Sequence, residues 1–229
     1  YIIAMSLIYF IKYVPTVVNV ISKEPVLVRL KEGIQYLKKR PAIFHFGNAS
    51  YTVFIFVLIS THLLWPIYVE KHLGELGNIY AVTKMNYAVG ALFAGFFISL
   101  IFRKSNIILS IIVLTIIALI AFFVLSVTQS IFILFGLAIS LGIANAGIRI
   151  QRITYLFNHI PNNIIGRTNS VFQSINILLR SIFIGLFSWS FFSEGSNITW
   201  AFVIAGGVTV LSLLPLIFNY KKLRDLKIE

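Results

Sequence analysis

A chain of 229 residues that is 59% hydrophobic and only 11% charged has too little charge to cover a water-soluble domain of its size. It contains no Cys, which excludes a disulfide framework, a Cys-ligated zinc and a thiol nucleophile. The net charge of +12 would suggest nucleic acid in a soluble protein, but here the placement of each charge matters more than the sum, and no nucleic-acid partner is implied.

In chain order, an apolar run of about half a span occupies residues 1–14 and is interrupted by Lys12, so it reads as the end of a transmembrane helix whose beginning is missing. The chain is accordingly read as a fragment. Residues 15–41 form a polar linker in which Pro25 suits a first helical position, and Val26, Leu30, Ile34 and Leu37 recur at helical spacing. Charged residues on the other faces make this an amphipathic helix on the membrane surface, or equally a solvated connector. Six apolar runs then fill residues 42–220, at 42–69, 79–102, 107–126, 131–154, 168–192 and 198–220, followed by a tail at 221–229.

The run 107–126 is the plainest of these: twenty residues without charge, Pro or Gly, apolar on every side. At about 1.5 Å of rise per residue it covers roughly 30 Å, the hydrocarbon thickness of a bilayer. With all six runs drawn as crossings, sixteen of the nineteen Lys and Arg fall on one side and only Lys71 on the other, leaving Lys84 and Arg180 inside spans. This is the positive-inside pattern, and it places the linker, the Arg103–Lys104 turn, the 155–167 loop and the C-terminus in the cytoplasm. All seven acids lie in loops or tails.

A charge at mid-bilayer costs about 2.5 to 3.5 kcal/mol on insertion scales and normally faces a bundle interior or a wet cavity. Arg180 stands in the middle of its span, and Asn169, Gln173, Asn176 and Arg180 follow at steps of four, three and four, on one helical face. That face reads as lining a cavity, or else as polar glue between helices. Asn145, Arg149 and Arg152 share another face. The two arginines are near enough to the basic end to snorkel and serve as topology anchors, which leaves Asn145 as the site candidate. Asn48 lies on a stripe with His45 and Thr52, and Lys84 sits about one turn inside the opposite surface. The substrate-cavity candidates are therefore Asn48, Lys84, Asn145, Gln173, Asn176 and Arg180. Gly90, Ala91, Ala94 and Gly95, and Gly142 with Ala146, form small-xxx-small patterns that permit close helix packing. The third and sixth runs, almost wholly apolar, are expected to face lipid, which suggests two inverted three-helix repeats.

The stretches KEGIQYLKKRP (31–41), PIYVEKHLG (66–74), GALFAG (90–95) and PNNIIGRTNSVFQ (161–173) resemble, in order and spacing, the C-terminal half of a major facilitator superfamily transporter. Within that superfamily the chain resembles in particular the bacterial drug and siderophore exporters that include the macrolide-efflux proteins. The resemblance covers essentially the whole chain. It implies an all-α six-helix transporter half of 3+3 inverted repeats, a bacterial inner-membrane location, a missing N-terminal six-helix half, a small-molecule substrate and no cofactor. It also makes Arg103, Lys104, Arg149, Arg152, Gly166 and Arg167 candidates for a cytoplasmic gate or for topology. The superfamily's Gly, Asp and Arg cytoplasmic motif is reduced here to Arg103 and Lys104, which weakens a gating role for that turn.

The function expected is proton-coupled efflux of hydrophobic or amphiphilic compounds by alternating access. No carboxylate lies within a span, so coupling falls to the missing half or to His62. The alternatives are a non-transporting membrane subunit and an integral-membrane enzyme. The enzyme is disfavoured by four scattered His without paired acids or Cys.

Overall fold

The computed structural model describes residues 25–102 and 106–226, and every regular element among them is helical. The expected partial span at 1–14, the start of the linker, Arg103, Lys104 and the last three residues of the tail lie outside the described residues. A surface helix α1 (Val26–Lys39) leads into six long apolar helices: α2 (Pro41–His72), α3 (Gly77–Ile101), α4 (Ile107–Leu125), α5 (Ile131–His159), α6 (Ile165–Phe187) and α7 (Ile198–Phe218). A short α8 (Tyr220–Arg224) closes the described chain. The six long helices have the length and apolarity of membrane crossings, as required where no water is present to satisfy backbone groups. This is an all-α membrane protein.

The helix starts follow local chemistry. Pro41 is the first residue of α2, where its missing N–H costs nothing, and the Asn106 side chain caps α4 by accepting from the Ile108 N–H at 2.8 Å. Pro25 stands just before α1 rather than inside it. Two boundaries differ from the apolar runs by a full turn or more. α5 continues past Thr154 to His159 because its last turns remain packed: the Tyr155 ring lies 4.3 Å from that of Phe46, and its hydroxyl donates to the Leu223 carbonyl at 2.8 Å. α6 stops at Phe187. The apolar residues beyond it turn back through a 3-10 segment, Ser190–Ser193, so that Phe192 packs on Phe187 at 5.4 Å.

Pro66 interrupts α2 without breaking it. It has no N–H to offer the His62 carbonyl, and on either side of Trp65–Ile67 the helix widens to π geometry, at Ser60–Leu64 and Tyr68–His72. The Trp65 N–H accordingly bonds the Ser60 carbonyl, five residues back.

Among the six long helices, the most extensive pairings join α3 to α5, α4 to α5, α4 to α7, and α2 to α5, α6 and α7. Exchanging α2 with α5, α3 with α6 and α4 with α7 maps this set onto itself. Exchanged partners are three crossings apart and therefore run in opposite directions, which is the arrangement of a 3+3 inverted repeat. The third and sixth spans, expected to face lipid, are not the ones least covered within the chain. α4 and α7 are 44% buried over their apolar windows, whereas α3 and α6 are the least covered at 17% and 22%. Small residues explain this, since Ala118 and Ala121 on α4 and Ala201, Ala205 and Gly206 on α7 are buried against neighbouring helices.

The tightest crossing is between α3 and α5. A Cβ on Gly90 would stand 2.1 Å from the Ile139 carbonyl oxygen, and one on Gly142 would stand 2.2 Å from that of Tyr87. The backbones touch, so only glycine fits at either place. Gly95, expected in the same pattern, has open space around it. Gly90→Ala and Gly142→Ala should each lower stability by about 1 to 3 kcal/mol, as overpacking does. Gly95→Ala, which relieves only backbone entropy, should be neutral or stabilising. Thermal unfolding of the detergent-solubilised protein separates these outcomes.

Candidate functional site

The polar side chains meet at two places along α2. At the basic end, Tyr51 of α2 is the centre. The Arg152 guanidinium of α5 lies 3.6 Å from its ring centroid and donates from Nη1 to the Ser50 carbonyl at 2.9 Å. The Tyr51 hydroxyl donates to Asn169 Oδ1 at 3.4 Å and accepts from Gln173 Nε2 at 3.2 Å, both on α6. α6 comes this close because Gly47 leaves room for the Phe172 ring, whose atoms lie 2.2 Å from where a Cβ would be. A cavity of about 280 Å³ opens beside this network, and Arg149, Arg152, Gly166 and Gln173 all line it.

Farther along α2, Arg180 lines a second cavity of about 300 Å³ with His62, Leu58, Ile59 and Ile184. His62 Nδ1 is engaged with the Leu58 carbonyl and the Thr61 hydroxyl, each at 2.9 Å. Among the described residues no carboxylate pairs with Arg180, and no group of His, Cys, Asp or Glu is placed to hold a metal.

The remaining candidates are dispersed. Asn145 of α5 donates to the Tyr87 hydroxyl of α3 at 2.7 Å, tying the closest helix pair together. Asn48 turns back to its own helix, donating to the Phe44 carbonyl at 3.0 Å. Lys84 is exposed, with its ammonium 5.4 Å from the Tyr80 ring centre. Asn176 is buried and its Nδ2 has no hydrogen-bond partner. The α6 stripe of Asn169, Gln173, Asn176 and Arg180 is real as a face. Three of its four members address α2: Asn169 and Gln173 through Tyr51, and Arg180 through the cavity it shares with His62.

Arg149 and Arg152 part company. Arg149 is exposed, as a snorkelling anchor would be, but Arg152 is only 4% exposed and folded inward between α2 and α6. The apolar reach to the basic end is short for both; the aromatic face of Tyr51 and the Ser50 carbonyl draw one of them in. Arg167 pairs with Glu32 of α1, joining the surface helix to α6, and Gly33 of α1 lies so close to the Arg167 carbonyl that a Cβ would stand 2.6 Å from it. Sequence spacing does not single out Tyr51. Its one signal is a hydroxyl in a span otherwise rich in Phe and aliphatic residues, one turn from Asn48.

Tyr51→Phe keeps the ring under Arg152 and loses only the hydroxyl bonds, so it should cost about 1 kcal/mol. Tyr51→Leu also removes the cation–π contact and leaves a void, and should cost about 3 kcal/mol. Equal losses in thermal unfolding would show that the guanidinium gains nothing from the ring. Comparison of the chain with known protein families, with curated proteins and with solved structures finds no match, so what these cavities do is argued from their own residues.

Proposed function

We propose that this chain is one half of a secondary active transporter, in which a second six-helix half completes a central path and the two halves rock about it. The observation that carries this reading is that α3 and α6, an exchanged pair in the repeat, are the crossings least covered within the chain and bear the intramembrane cations Lys84 and Arg180. Cations on uncovered spans are costly against lipid and acceptable against a wet interface with another half. The sequence resemblance to the major facilitator superfamily supports the same architecture, an inner-membrane location and a cytoplasmic C-terminus.

In this reading Arg180, at the cavity it shares with His62, meets the substrate or a carboxylate of the other half, and the exposed Lys84 and Gln173 border the path. The compounds carried are hydrophobic or amphiphilic, moved outward at the expense of a proton gradient. Since no acid lies within these spans, the protonating group belongs to the other half or is His62.

A second reading, a non-transporting membrane subunit, is favoured by the bonds Asn145 to Tyr87 and Gln173 to Tyr51, which spend polar groups on holding helices together. Reconstituting the complete protein in vesicles distinguishes them. The transporter reading expects uptake or release of an amphiphilic cargo that stops when the proton gradient is collapsed, and a loss of at least about tenfold in Arg180→Ala with unchanged thermal stability, the scale of one charge-assisted contact. Normal transport by a folded Arg180→Ala protein would assign that residue a structural role.

A further inference from the structure

Arg152 poses a problem that packing alone does not solve. It is a guanidinium only 4% exposed, one of its five N–H groups is accounted for by Ser50, and its buried Nε has no partner. A buried charge is tolerated when it is paired, and among the described residues no carboxylate pairs with it. The Tyr51 ring offsets part of the cost on one face of the guanidinium. Arg149, one turn earlier on α5, brings a second positive charge to the same cavity, and repulsion between the two makes an unfilled site less favourable still.

The rest of the lining is suited to an oxyanion. Asn169 and Gln173 add amide groups, and Ile165 and Gly166 bring the first turn of a 23-residue helix, whose dipole favours negative charge. No acidic residue lines the cavity. At about 280 Å³ it lies at the lower edge of the ~300–1,000 Å³ usual for small-molecule sites, which suits a single head group better than a drug-sized molecule. Its apolar wall includes Ile153 and Phe157, four residues apart on α5 and both largely exposed, so this wall continues outside the cavity. The pocket therefore joins a buried cation, Arg152, and an exposed one, Arg149, to an apolar outer track at the basic end of the bundle.

We propose that this cavity binds a phosphate group, held by Arg149 and Arg152 and oriented by Asn169 and Gln173, with Ile153 and Phe157 able to follow an attached acyl chain. The site lies within this chain alone and does not depend on the transport reading. The phosphate belongs to an anionic phospholipid or is free in solution, and one experiment separates the sources. The complete protein in phosphatidylcholine nanodiscs is titrated with phosphatidylglycerol in one arm and with inorganic phosphate at constant ionic strength in the other, following the thermal midpoint.

A saturable rise in at least one arm is expected, with the half-saturating concentration raised about tenfold in Arg149→Gln, the scale of one charge-assisted hydrogen bond. A response to phosphatidylglycerol alone assigns the lipid, and a response to inorganic phosphate assigns the free ion. Arg152→Gln is unsuited to carry the test because its guanidinium also holds α2. Arg149 is exposed, and Asn169→Leu provides an independent second variant expected to weaken binding in the same direction. No saturable response in either arm, or equal responses in wild type, Arg149→Gln and Asn169→Leu, overturns the proposal.

Discussion

A backbone that crosses some 30 Å of hydrocarbon has no water to bond with, and each of its amides must find a partner in its own helix. That constraint decides the architecture before any side chain is considered. It permits six unbroken helices and explains why Pro66 produces π geometry in α2 rather than a break, since the widened turns recover bonds that the proline removes. It also moves the problem of cohesion to the helix surfaces, because apolar side chains gain nothing by leaving lipid for one another. The close crossing of α3 and α5 at Gly90 and Gly142 is one answer, and the bonds that Tyr51 and Tyr87 make with side chains of α5 and α6 are another.

Charge acts on a different part of the design. Helix ends that hold Arg40, Arg152, Arg167 and Lys222 gather at one end of the bundle, and contacts such as Glu32 with Arg167 and Tyr155 with the Leu223 carbonyl join them. At the other end the Tyr68 hydroxyl donates to the Thr128 carbonyl at 2.6 Å, and His72 Nε2 stands 3.0 Å from the same oxygen. The two ends are thus closed by different chemistry, with an ion pair between helices at the basic end and, at the other, hydroxyl and imidazole contacts to one carbonyl beside the local Lys71–Glu70 pair. A membrane with an asymmetric charge environment orients such a bundle without further instruction.

The six crossings are legible in hydropathy because a bilayer imposes length and apolarity on every helix alike, and the polar face of α6 is legible because its residues keep helical spacing. Other features depend on information that neither signal carries. The end of α6 at Phe187 is set by the return of Phe192 onto it, and the extension of α5 to His159 by the packing of Tyr155. Uniform apolarity places α4 and α7 outermost, but their alanines and glycine bring them against neighbours, leaving α3 and α6 the more open. The inward turn of Arg152 was least accessible of all. Whether an arginine near a membrane surface snorkels or folds inward depends on what the next helix offers, here the face of Tyr51.

The central claim is that the chain makes six crossings with its basic ends on a single side. Since these 229 residues contain no Cys, single cysteines introduced at Gly195 and Lys222 and labelled in sealed cells with a membrane-impermeant maleimide test this most directly. The account predicts labelling at Gly195 and none at Lys222 until the membrane is opened. Labelling of both positions from the same side would contradict it.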